Sequence, residues 1–208
     1  MEWQSQRAAG TLAGSPVRGV RSTLVSASFD EFLTLHDPQL VRMKSAAIAF
    51  VGDMLERSEP RWLSLLGTPG TGKTMLARMI TRVFNRHLRG EINFENQARI
   101  VRYHGGFMTW NNVANRVREG EYRWFDDICG YQFVALDDIG TEHLTDFVRA
   151  KLYEFLNRSE GKWRVITANL TLEEIGERLD DRIASRMLRH RSTVIEVDAP
   201  DFNLREQP

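Results

Sequence analysis

The chain has 208 residues and a mass of 24.0 kDa, which suits one domain carrying an extra arm. Its 28 basic and 28 acidic residues cancel, excluding a bulk polycation that coats nucleic acid, and its 42% hydrophobic and 27% charged residues match a globular protein in water. The single cysteine, Cys129, excludes an intrachain disulfide framework and a multi-cysteine zinc site. No stretch reaches the roughly 18 apolar residues of a membrane span, and the first thirty residues lack the apolar core of a signal peptide. These features predict a cytoplasmic protein with no membrane partner. Arginine outnumbers lysine 24 to 4, a bias toward planar, bidentate contact with phosphate and carboxylate that a GC-rich genome would also produce.

Residues 1–28 are rich in Gly, Ser, Ala and Arg and show no periodicity. They read as a flexible basic arm (Arg7, Arg18 and Arg21 against Glu2 alone) ahead of a domain over 29–208. Asp37-Pro38 marks a helix start, and Leu40, Met43, Ala47, Phe50, Val51 and Met54 recur at helical spacing through residue 57. Residues 62–66 form a short apolar run ending in glycine, the pattern of a buried strand. A helix follows from Gly72, with Met75, Leu76, Met79, Ile80 and Val83 on one face. Residues 98–103 predict a second strand and 107–128 a helix with Met108, Val113, Val117, Trp124 and Phe125 as its apolar points. The third strand, 132–136, runs directly into Asp137-Asp138. Phe147, Leu152, Phe155 and Leu156 mark another helix. Strands over 164–168 and 193–197 bracket a helix carrying Ile183, Met187 and Leu188. Strands alternating with helices predict an α/β fold: a five-stranded parallel sheet flanked by helices.

Gly67-Thr68-Pro69-Gly70-Thr71-Gly72-Lys73-Thr74 fits the phosphate-loop pattern G-x-x-x-x-G-K-[ST], and it lies between an apolar strand and an amphipathic helix as that motif requires. Such a loop points successive amides at phosphate oxygens and adds the positive end of a helix. Lys73 then reaches the β- and γ-phosphates and the Thr74 hydroxyl ligates Mg²⁺, so ATP and Mg²⁺ are the expected ligands. Asp137 and Asp138 end a strand, where parallel sheets gather ligands. Asp137 suits a Mg²⁺ partner, directly or through water, and Asp138 suits the carboxylate that orients and polarises an attacking water.

These two motifs, together with Ile166-Thr167-Ala168-Asn169-Leu170 and the segment Asp181-Arg182-Ile183-Ala184-Ser185-Arg186-Met187, resemble the AAA+ ATPases of the DnaC/IstB group. That group contains replicative helicase loaders and transposition helper ATPases. The resemblance runs from about Phe29 to Asp201 and implies a P-loop NTPase fold of the AAA+ (ASCE) type. With about 22 residues after Arg186, it implies no C-terminal helical lid domain. It places Asn169 at the polar position that helps hold the lytic water. Arg186 falls at the arginine finger, which reaches into a neighbouring copy's site, with Arg182 one turn away as a substitute or support. A finger acting in trans implies a homo-oligomer, a ring or a helical assembly. Many relatives carry Glu where this chain has the shorter Asp138, which predicts slow or geometry-sensitive turnover.

In DnaA- and DnaC-like ATPases the segment after the second strand contacts DNA. Here that segment interleaves Arg116, Arg118 and Arg123 with aromatic residues. Either those arginines pair with DNA phosphates, or they face water over a core of Trp110, Trp124 and Phe125. Arg189, His190 and Arg191 are expected at an interface between copies. The function implied is a DNA-replication ATPase that hydrolyses ATP between subunits to load or remodel a replicative helicase on DNA. The alternatives are an IstB-like transposition helper that partners a transposase, and an ATP-switched adaptor with negligible turnover.

Overall fold

The computed structural model describes residues 25–88, 90–92, 101–141, 145–189 and 191–202. Of the predicted arm, residues 1–24 lie outside this set. Residues 25–27 form a helical turn, and Val25 packs with Phe29 and Phe32 into the core. The elements in chain order are α1 (Pro38–Leu55), β1 (Trp62–Gly67), α2 (Lys73–His87), β2 (Gly90–Ile92), β3 (Val101–Tyr103), β4 (Gly105–Thr109) and α3 (Trp110–Arg118). They continue with α4 (Tyr122–Gly130), β5 (Phe133–Ile139), α5 (Asp146–Asn157), β6 (Trp163–Ala168), α6 (Leu172–Arg178), α7 (Asp181–Met187) and β7 (Thr193–Val197).

Five strands make one parallel sheet in the order β4-β5-β6-β1-β7, as the alternation of strands and helices predicts. β1, β5 and β6 are central, and their near-continuous burial explains why they read as unbroken apolar runs. On one face α1 and α2 bury Met43, Phe50, Leu76 and Ile80 with Phe29 and Phe32. On the other, α3 to α7 bury Trp110, Phe125, Leu152, Phe155, Ile183 and Met187. The helix start at Asp37-Pro38 is realised: Asp37 Oδ1 accepts from the amides of Gln39 and Leu40, with Pro38 in the first turn.

The second strand of the sheet is not the predicted one. Val101–Tyr103 pairs antiparallel with β2 in a separate two-stranded ribbon, and residues 98–100 lie outside the described set. The sheet instead takes Gly105–Thr109, residues read in part as the start of a helix, in register from Gly105 opposite Phe133 to Thr109 opposite Asp137. Phe107 and Met108 alone cannot separate a strand from a helix over so short a run. Close approach decides it: a Cβ on Gly105 would lie 2.5 Å from the Phe133 carbonyl oxygen and 2.7 Å from the Phe84 ring. The predicted 107–128 helix is also divided. Thr109 caps α3, and Gly120, at φ +90°, turns the chain before α4. Three apolar residues assigned to buried helix faces are exposed: Met75, Phe147 and Leu188.

Arg164, at the start of β6, is fully buried, and among the described residues its hydrogen bonds go to neutral oxygens. Burial pushes its guanidinium down to about 9. It donates from Nε to Ser159 Oγ at 2.8 Å, and from Nη1 to the carbonyls of Tyr131 at 3.1 Å and Trp163 at 2.8 Å. One side chain thus fastens the loops that precede β5 and β6. Arg164→Ala orphans these acceptors and leaves a cavity, so it should lower unfolding free energy by about 3 kcal/mol or more. Urea denaturation measures this, and a loss below about 0.5 kcal/mol, the range of neutral surface substitutions, would contradict it.

Candidate nucleotide-binding site

β1 delivers the chain into the phosphate loop, and α2 begins directly after it. Gly72 precedes the helix at φ +88°, a left-handed conformation that side chains resist, and a Cβ there would press to 2.5 Å from the Phe32 ring. Helices α1, α3, α5, α6 and α7 start under an Asp or Thr side-chain cap; α2 and α4 have none. Its first-turn amides therefore remain available to an anion, at the positive end of the helix dipole.

Lys73 is buried within the loop. Its Nζ donates to the carbonyls of Thr68 at 2.6 Å and Gly67 at 2.9 Å, and to Thr71 Oγ1 at 3.3 Å. Burial lowers the ammonium to about 8, against the pull of Asp138 and Asp137, which raise it. The loop's own oxygens hold the cation at the floor of the site, where phosphate oxygens would compete for it.

Asp137 and Asp138 end β5 where its register with β6 shifts, between Leu136 and Ile139. In a regular strand neighbouring side chains point to opposite faces. Here Asp138 takes φ +61°, and both carboxylates lie close enough to Lys73 to act on it. Asp137 is buried and accepts from Thr74 Oγ1 at 2.9 Å and from Thr167 Oγ1 at 2.6 Å. Asp138 Oδ1 accepts from Asn169 Nδ2 at 2.9 Å, and Oδ2 accepts from Thr141 Oγ1 at 3.2 Å.

Lys73, Thr74, Asp138 and Asn169 line one cavity of about 600 Å³ with the loop residues from Pro69 onward; Asp137 sits behind it on Thr74. The size suits a nucleotide. Thr74 Oγ1 and the Asp137 carboxylate are hard oxygen donors of the kind Mg²⁺ takes. Among the described residues no three His, Cys, Asp or Glu side chains cluster as a protein-only metal cage.

Arg182 and Arg186 do not line this cavity. Both lie over the Tyr153 ring, at 5.1 and 5.8 Å, and with Asp181, Ser185 and Arg189 they surround a second depression of about 290 Å³. Arg182 is paired with Asp180 at 2.8 Å, and that contact holds the Asp180 carboxyl down to about 2. Arg186 donates to Asn157 Oδ1. Arg116 is bonded to Glu121 and stacks 3.6 Å over the Trp124 ring, and Arg118 donates to Asn115 Oδ1 at 2.8 Å. Trp110 and Phe125 are core residues. Of the expected interface cluster, Arg191 pairs with Glu59 at 2.6 Å, and His190 lies outside the described residues.

Sequence reasoning missed Thr167. It lies inside the Ile166–Leu170 segment, and its signal was a hydroxyl flanked by the apolar Val165, Ile166 and Ala168. Its Oγ1 donates to Asp137 and accepts from the Asp138 amide at 2.8 Å, so one hydroxyl joins both acidic residues. Thr167→Val keeps the shape but leaves that amide unpaired and should cost about 1–3 kcal/mol of stability. Thr167→Ser should stay near wild type. Equal unfolding midpoints for the valine and serine variants would contradict this reading.

Solved structures share this fold at low identity. The DnaI structure superimposes with a TM-score of 0.62 at 18% identity, covering 86% of this chain and 92% of its own. The DnaC helicase loader gives 0.58 at 17%, covering 75% and 90%. Domain III of the Thermotoga maritima replication initiation protein DnaA gives 0.58 at 20%, covering 79% and 64%. No curated protein matches the chain. Residues 23–208 match the family model described as IstB-like ATP binding protein, and the chain belongs to that family.

Proposed function

We propose that this member of the IstB-like ATP-binding family is an ATPase that hydrolyses ATP between copies of itself and uses the cycle to load or remodel a replicative helicase on DNA. The observation that carries the reading is the division of the catalytic set. Lys73, Thr74, Asp137, Asp138 and Asn169 converge at one cavity, whereas Arg186 lies at another depression. A finger from a neighbouring copy would complete the first.

In this mechanism the open amides of α2 and the Lys73 ammonium bind the triphosphate, the lysine exchanging loop carbonyls for phosphate oxygens. Thr74 and Asp137 would hold Mg²⁺, which when bound neutralises charge on the phosphates. Asp138 orients the attacking water and accepts its proton, while Asn169 steadies the Asp138 carboxylate and the water beside it. Arg186 of a second copy neutralises charge on the transferring phosphoryl group. Arg116 and Arg118 would meet DNA phosphates, with Trp124 fixing the direction of the first guanidinium.

The family match favours a second reading, a transposition helper that engages a transposase. Capture from the native host with a non-hydrolysable ATP analogue separates the two: helicase among the retained proteins supports the first, and transposase the second.

Steady-state hydrolysis tests the site. Lys73→Ala should abolish ATP binding, whereas Asp138→Ala should keep binding and lose turnover at least about 100-fold, the scale of a positioned base. Unchanged turnover in either variant would refute the assignment. Arg186→Ala and Lys73→Ala proteins, each inactive alone, should regain part of the activity when mixed. No recovery at any ratio would exclude a finger acting in trans.

A further inference from the structure

The lining of the cavity is chemically mixed. Beside the polar loop its wall carries an apolar set, buried Phe32 and Leu40 and exposed Leu33 and Phe202, with Glu31 and Arg78 also lining it. Phe202 is 44% exposed and its side chain lines this cavity. Its position is nonetheless fixed. Gln39 bonds both the amide and the carbonyl of Asp198 at 2.9 Å, and Thr68 Oγ1 reaches the Ala199 carbonyl at 2.9 Å. The Phe202 amide then donates to the Gly70 carbonyl at 3.0 Å. Three ties, two of them to the phosphate loop itself, set this ring at the cavity wall.

We propose that Phe202 is the base-stacking residue of the site, its ring packing on the flat face of the base of a bound nucleotide while the loop holds the phosphates. The inference rests on the nucleotide reading above and extends it to a residue outside every motif. A heterocycle lying between the Phe202 ring and the apolar wall would cover the exposed phenyl face, and aromatic stacking is insensitive to the base edge. Because the ring hangs from Gly70, stacking at the base also steadies the loop that holds the phosphates.

Equilibrium titration of the full chain with ATP and with inorganic tripolyphosphate, both with Mg²⁺, separates base from phosphate recognition. Phe202→Ala should weaken ATP about tenfold or more, as loss of one stacking partner does, and leave tripolyphosphate affinity within about twofold. Phe202→Tyr should keep ATP affinity near wild type. Unchanged ATP affinity in Phe202→Ala would overturn the proposal. So would parallel weakening of both ligands, which would make the segment a support for the loop alone. Failure of the underlying nucleotide reading looks different: wild type would bind neither ligand, or Lys73→Ala would bind both as wild type does.

Discussion

Two adjacent carboxylates must serve one cavity from the end of a single strand, and a regular pleat would send them to opposite faces. The register shift between Leu136 and Ile139 and the left-handed backbone at Asp138 resolve that conflict. A non-glycine residue in this conformation costs about 1–3 kcal/mol and persists only where its surroundings fix it. Here the fixing groups are the Thr167 hydroxyl on the Asp138 amide and the Asn169 and Thr141 side chains on its carboxylate. The neighbouring strand β6 therefore supplies the template that shapes the end of β5.

The same economy of polar groups runs through the interior. Lys73 is buried but surrounded by oxygens of its own loop, and Arg164 is buried but spread over a hydroxyl and two carbonyls. Neither forms a close ion pair among these contacts. Each keeps a charge inside by donating to neutral oxygens, which limits the desolvation penalty without the exacting geometry of a buried salt bridge. The difference is functional. The partners of Arg164 lie at and just before the starts of β5 and β6, whereas those of Lys73 belong to the loop that lines the cavity.

Much of this was legible in one dimension. The phosphate loop, the strand ending in Asp137-Asp138 and the helix start at Asp37-Pro38 each rest on chemistry confined to a few consecutive residues. What escaped depends on distant residues. Phe107–Thr109 alone do not distinguish a strand from a helix turn; the Phe133 backbone and Phe84 ring, packed against Gly105, do. Thr167 and Phe202 acquire meaning only beside Asp137 and Gly70, thirty or more positions away in sequence. Met75 matched the apolar period of α2 yet is exposed at the cavity, since a period marks which side of a helix faces inward and not where that side ends.

Tyr153 has a wider consequence through its place beneath two cations. Its ring lies under both Arg182 and Arg186. Among the described residues only the first pairs with an acid, Asp180, while the second donates to the neutral amide oxygen of Asn157. An ion pair adds a charge attraction that a bond to an amide oxygen lacks. Arg182 is therefore the more firmly tethered of the two guanidiniums on this ring, and Arg186 the more easily redirected.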